Sequence, residues 1–232
     1  MKRDEYAIIV AGGTGKRMKS ELPKQFLEIC GLPVLMHTVK AFYDYSPLLN
    51  IILVLPGDDF DTWKNLCEKH QFKIPLQLQS GGKTRFQSVK RGLEKLPGQG
   101  LVAIHDGVRP LIDKPIIAAS FNLASIHKTA IAAVRLKESI RMTDQDTTVA
   151  MDRSRFRLIQ TPQTFDISLI KKAYRINEDN ALTDDASVAE RAGHKISLFE
   201  GSYENIKITT PEDLKIANCL MQERISRKFS GT

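Results

Sequence analysis

Short β-branched runs alternate with helix-period segments through the first half of this chain, and few folds accept that rhythm. The runs are YAIIV at 6–10, NIILVL at 50–55, LQLQ at 76–79, LVAI at 101–104 and AIAAV at 130–134. Four are almost wholly apolar, the mark of strands covered on both faces rather than one. Between them, helical spacing covers roughly 34–43, 59–70, 87–96 and 114–125. A β-α-β-α order predicts an α/β fold with a mostly parallel central sheet flanked by helices. Further on, Thr183 is placed to cap the helix beginning DDASVAERAG, with Gly193 at its end. Thr210, Pro211 and Asp213 read as N-cap, N1 and N3 of another helix. The segment 135–159 breaks the rhythm. It is polar, carries the turn-like TDQDT, and is expected to leave the body as a protruding β-arm. No repeat, linker or low-complexity tract divides the chain, so residues 1–232 are expected to form one domain plus that arm.

Hydrophobic residues make up 42% of the sequence, enough for a substantial core, and charged residues 26%. A formal net charge of +7 suits anionic ligands, but no Lys/Arg block marks a nucleic-acid arm. The three cysteines, Cys30, Cys67 and Cys219, are widely spaced and form no C-x-x-C, so neither a zinc site nor a disulfide framework is expected. The five histidines show no ligand spacing. The N-terminal apolar run is too short for a signal peptide, and no stretch reaches the length of a membrane span. A cytoplasmic protein without membrane or nucleic-acid partners is expected.

Directly after the first run comes AGGTGKRMKSELPKQF at 11–26. Glycines let backbone N–H groups approach a ligand and form an anion-binding nest, and Lys16, Arg17, Lys19 and Lys24 add charge. The Walker spacing fails because Lys16 is followed by Arg17. The dinucleotide pattern fails because Met18 stands where its last glycine belongs. A phosphate cradle of another type remains. A second Gly-rich basic turn, GGKTRFQSVKRGL at 81–93, sets Gly82, Arg85 and Ser88 at a helix N-terminus. HDGVRP at 105–110 follows the LVAI strand, so Asp106 and Arg109 stand at a strand's carboxyl end, where open α/β sheets bind ligands. Asp106 is suited to accept hydroxyls or to lie near a metal; Arg109 is suited to a ligand or to a salt bridge with Asp106. Arg153, Arg155 and Arg157, spaced by two, would share one face of a strand, for a phosphate or an acidic partner surface. Lys207, in NIKITTPEDL, is expected in a short strand before a capped helix.

In this order, AGGTGKRM…LPKQF, GGKTRFQSV, HDGVRP, DR…QTPQTF, LTDDAS and NIKITTPEDL resemble the motifs of the 2-C-methyl-D-erythritol 4-phosphate cytidylyltransferase family, from about residue 8 to about residue 220. The resemblance implies a Rossmann-like nucleotidyltransferase fold, a homodimer joined through the arm, Mg2+ dependence, and transfer of a cytidylyl group from CTP in isoprenoid synthesis. It implies that Ala11, Gly12, Gly13 and Gly15 surround the CTP phosphates. Arg17 and Lys24 stabilise the transition state. Gly82, Arg85 and Ser88 contact cytosine and ribose. Asp106, Arg109, Ser139 and Thr161 contact the acceptor, which Arg153 and Lys207 position. No protein metal ligand is implied.

Two motifs depart from the family pattern. DGVRP stands where many members have DAARP, and Glu138-Ser139-Ile140-Arg141 stands for the arm's D-T-I-K. HDGVRP is also similar to the ribitol 5-phosphate cytidylyltransferases, while TDDAS and NIKITTPEDL match the methylerythritol enzymes. A non-catalytic nucleotide-binding protein is the alternative of another class. The chemistry itself accounts for a cation-rich site. Joining two phosphate anions needs positioning and charge neutralisation more than a strong base.

Overall fold

The computed structural model of the protein describes residues 4–12 and 22–229. Gly13, Gly15, Lys16, Arg17 and Lys19 lie outside the described residues. The core is a seven-stranded sheet built from β1 (Glu5–Val10), β4 (Asn50–Leu55), β5 (Gln77–Ser80), β6 (Leu101–Asp106), β7 (Thr129–Arg135), β10 (Arg157–Asp166) and β11 (Leu198–Glu200), in the order β11-β7-β10-β6-β1-β4-β5. β10 runs antiparallel to β6 and β7, and every other pairing is parallel. A small hairpin of β2 (Glu28–Ile29) and β3 (Leu32–Pro33) precedes the first long helix.

The all-apolar runs follow from the two covered faces. Along β1, Ala7 and Ile9 pack with Phe42 and Phe121, beneath α1 (Val34–Tyr45), α2 (Phe60–Lys69) and α4 (Lys114–His127). Ile8 and Val10 point the other way, toward Val89, Ile170 and Tyr174 of α3 (Arg85–Glu94), α5 (Ile167–Ala173) and the turn after it, with α6 (Asp185–Arg191) beyond. Alternation of successive Cβ atoms thus demands apolar residues at every position. Each fully buried Ile, Leu or Phe contributes about 1.5–3 kcal/mol by leaving water. A third cluster, with Ile29, Val108, Leu111 and Ile208, seals α7 (Pro211–Phe229) against the end of β6. Among the described residues no helix is long and apolar enough to cross a membrane.

Several local expectations need correction. Asp184, not Thr183, caps α6: its side chain accepts the Ser187 N–H at 2.8 Å, and the Ser187 side chain returns to the Asp184 N–H. An Asp carboxylate is the stronger acceptor at a positive helix end. Thr210 and Asp213 do form a reciprocal cap on α7. The segment expected as an arm is partly sheet: Arg157, Leu158 and Ile159 pair with Arg135, Val134 and Ala133. What leaves the sheet is the shorter hairpin of β8 (Ile140–Asp144) and β9 (Thr147–Met151), exposed along most of its length. Arg153, Arg155 and Arg157 do not share a strand face. The first two lie in a 3-10 turn capped by Asp152, whose side chain accepts the Ser154 N–H, and only Arg157 belongs to β10. Lys207 lies outside any strand, in an extended connection tied by the Ile208 N–H to the Val108 carbonyl at 2.9 Å.

The ends of β1 and β6 are bound together at Gly107. Its N–H donates to the Val10 carbonyl, and its own carbonyl accepts the Thr38 hydroxyl. A Cβ at Gly107 would stand 2.8 Å from both Ala11 Cβ and Leu35 Cδ1. Gly107→Ala should therefore destabilise the fold by about 1–3 kcal/mol through overpacking, read as a lower urea midpoint. An unchanged midpoint would show that the crossing has room to spare.

Candidate functional site

The carboxyl ends of β1 and β6 open into a cleft of about 340 Å³. β1 lies between β6 and β4, where the chain's successive crossovers turn in opposite directions, and such switch points hold ligands in open α/β sheets. One wall is the start of the Gly-rich segment, Val10, Ala11 and Gly12, with Lys24 and Gln25 from its far end. The opposite wall is Gly82, Lys83, Thr84, Arg85 and Ser88 at the N-terminus of α3. Asp106, Val108 and Lys207 close the floor. Among the described residues four cations thus face one carboxylate, an electrostatic surface suited to a polyanion.

The second Gly-rich turn is braced from within. Ser88 Oγ accepts the Gly82 N–H at 3.1 Å and donates to the Thr84 carbonyl at 2.8 Å, while Thr84 Oγ1 caps α3 through the Gln87 N–H. A Cβ on Gly82 would clash with Gln87 at 2.3 Å. Ser88 is buried, so its hydroxyl shapes the turn while glycine keeps the backbone near the cleft.

Asp106 is the electrostatic centre. Its carboxylate is nearly buried, with Arg85 Nε at 3.4 Å from one oxygen, and Arg109 Nε at 3.3 Å and Lys207 Nζ at 3.0 Å from the other. Burial pushes its pKa up, but Arg85, Lys207 and Arg109 together hold it well below the usual carboxylate range. Arg109 is buried, donates also to the Asn205 carbonyl at 2.8 Å, and has its pKa lowered chiefly by desolvation. It is a strut under the floor and does not line the cleft. Thr161 likewise sits behind Asp106, accepting its backbone N–H at 3.1 Å, beside the register shift in β10.

Of the residues singled out from sequence, Ala11, Gly12, Lys24, Gly82, Arg85, Ser88, Asp106 and Lys207 line one cleft. Ser139 and Arg153 do not line it; both are exposed on the arm, where Arg153 donates to the Lys137 carbonyl. Gly13, Gly15 and Arg17 are outside the described residues. Sequence reasoning missed Asp185, which is fully buried and grips Arg85 with both oxygens, at 3.0 and 2.7 Å. In the sequence Asp185 stands only within the helix start DDASVAERAG and the LTDDAS motif, and nothing local marks it as buried.

His105, beside Asp106 on β6, is fully buried, edge-on to Phe42, with Nε2 3.4 Å from the Arg109 carbonyl. Burial lowers its pKa from 6.5 to about 3, against the opposing pull of Asp106. The folded state therefore refuses a proton that the unfolded chain accepts. Its share of stability is complete above about 6.5 and declines as pH falls toward about 3, whereas Asp106 stays ionised throughout that window. His105→Gln should flatten the loss of stability between those limits, measured by urea unfolding across pH; slopes equal to wild type would exclude His105 as the source.

The comparisons with known proteins agree with this geometry. The family model described as 2-C-methyl-D-erythritol 4-phosphate cytidylyltransferase (IspD) matches residues 6–223. A relative of that name from Bacteroides thetaiotaomicron is 49% identical over 217 residues, 94% of this chain and 99% of its own. Another from Porphyromonas gingivalis is 47% identical, over 95% of this chain and 99% of its own. The crystal structure of 4-diphosphocytidyl-2C-methyl-D-erythritol synthase from Anaerococcus prevotii superposes with a TM-score of 0.82 at 33% identity, covering 95% of this chain and 96% of that one. Four of the six motifs supply residues to the cleft, and the chain belongs to the 2-C-methyl-D-erythritol 4-phosphate cytidylyltransferase family.

Proposed function

We propose that the protein joins CTP and 2-C-methyl-D-erythritol 4-phosphate, giving 4-diphosphocytidyl-2-C-methyl-D-erythritol and pyrophosphate in isoprenoid synthesis. The observation that carries this reading is the cleft itself: among the described residues, Lys24, Lys83, Arg85 and Lys207 converge on a space whose one carboxylate is Asp106. In the reaction a phosphate oxygen of the polyol attacks the α-phosphorus of CTP, and the bond to pyrophosphate breaks in line. The attacking phosphate is already anionic, so no proton need be removed by a strong base. Lys24, with Arg17, bears on the charge that builds at the α-phosphorus. Lys207 receives the acceptor phosphate, and Asp106 accepts the polyol's hydroxyls.

Mg2+ fits this chemistry as an ion carried by the triphosphate. Both oxygens of Asp106 are already met by cations, and among the described residues no three His, Cys, Asp or Glu side chains gather around a common point. The ion supplies neutralisation of phosphate charge, and hard oxygen ligands from nucleotide and water suit it.

The arm is read as a dimer contact that brings Ser139 and Arg153 to the cleft of a second copy. Supporting this, neither lines its own cleft, and Met142, Val149, Phe156, Leu158 and Ile159 leave apolar surface exposed on or beside the arm. Two such clefts per homodimer would result. CTP is an intracellular nucleotide, and the enzyme then works in the cytoplasm.

Pyrophosphate release measured side by side with methylerythritol phosphate and ribitol 5-phosphate tests the acceptor; faster turnover of the ribitol ester would overturn it. Lys24→Ala should lower kcat by about 10²–10³ while the protein stays folded, and wild-type kcat in that variant would remove Lys24 from the mechanism. Arg153→Ala should raise KM for the polyol phosphate more than for CTP; equal effects on both would count against the acceptor role.

A further inference from the structure

Behind the cleft wall lies a second carboxylate that no ligand can reach. Asp185, at the first turn of α6, is fully buried. Its two oxygens take Arg85 Nη1 and Nη2 at 3.0 and 2.7 Å, a paired fork, and Oδ1 also accepts the Tyr174 hydroxyl at 2.5 Å. The Tyr174 ring is itself held against Phe86 of α3, with centroids 4.7 Å apart. α6 is pinned in turn by Gln163 of β10, which donates to Asp184 and accepts the Ala186 N–H, each at 2.8 Å. Three stretches distant in sequence meet in one strut, and its free end is Arg85 Nε, 3.4 Å from Asp106.

The geometry decides what Arg85 is allowed to do. A guanidinium beside a lone carboxylate forks onto it and takes both oxygens. Here Asp185 takes the fork, so Arg85 offers Asp106 a single N–H, on Oδ1. The other oxygen stays with Arg109 and Lys207. We propose that Asp185, seated by Tyr174, is a positioning residue for the nucleotidyl-transfer site: by occupying the Arg85 fork it keeps Asp106 and Lys207 paired where the polyol's hydroxyls meet the one and its phosphate the other. This rests on the cytidylyltransferase reading above.

With an amide at this position, one face of the fork meets an NH2 group, Arg85 turns onto Asp106, and Lys207 loses its partner. Asp185→Asn should thus raise KM for the polyol phosphate by about tenfold, and Tyr174→Phe by about threefold, as misplacement of a substrate-binding group does. A purely structural defect would reduce the folded fraction, and with it kcat, while leaving KM alone. In an Asp106→Asn background the Asp185→Asn effect on KM should shrink to less than about twofold, because residues acting through one partner are not additive. The experiment is steady-state kinetics of the wild type, the three single variants and the double variant, with each substrate varied and folding followed by thermal melting. A wild-type KM in Asp185→Asn, or an effect undiminished in the Asp106→Asn background, overturns the proposal. If Asp185→Asn fails to fold, the KM of Tyr174→Phe decides in the same way. Turnover by the wild-type protein, measured in the same series, tests the cytidylyltransferase reading separately.

Discussion

A buried carboxylate surrounded by three cations is the constraint around which the site is arranged. Asp106 stands at the last position of β6, where a charge is costly unless it is paired. Arg85, Arg109 and Lys207 supply the pairing from three parts of the chain: the start of α3, the turn after β6, and the connection before α7. Two of these cations are also held from elsewhere. Arg109 also donates to the Asn205 carbonyl and Arg85 to Asp185, so the charges are oriented before any ligand arrives. Preorganised charge of this kind does most for a reaction in which one anion must approach another.

The sheet explains why those parts meet. β1 and β6 are parallel neighbours in register from Glu5–Leu101 to Val10–Asp106, with residues 7–10 and 101–104 packed on one face or the other, so they end at the same level. Gly107 closes the distance between their ends because it has no Cβ to hold Ala11 and Leu35 away. The antiparallel β10 then delivers Thr161 and Gln163 behind the floor, one to the Asp106 backbone and the other to the start of α6. Motifs that look like separate ligand contacts in the sequence are, in part, contacts with one another.

Some of this was legible along the chain. The doubly apolar runs identify covered strands because each residue must satisfy one of two buried faces. The glycines and cations after β5 mark a turn that forms one wall of the cleft. The failures have equally physical causes. Spacing by two suggested a common strand face for Arg153, Arg155 and Arg157, but the Asp152 cap turns the backbone into a 3-10 turn there. A polar stretch suggested an arm from 135 to 159, but sheet pairing depends on partners, and β7 and β10 claim its two ends. Arg109 and Thr161 carry polar groups at a strand end, which local pattern cannot separate into those facing the cleft and those beneath it.

The order of elements, the mostly parallel central sheet, the glycine-rich turn before α3 and the family were therefore properties of the linear sequence, since periodicity, glycine placement and motif order are local quantities. Which face of Asp106 each cation meets, the burial of Arg109, and the grip of Asp185 on Arg85 were decided only in three dimensions. Those contacts join residues up to 101 positions apart. A charge is told apart as strut or ligand contact by what surrounds it, and those surroundings exist only once the sheet has brought the strand ends together.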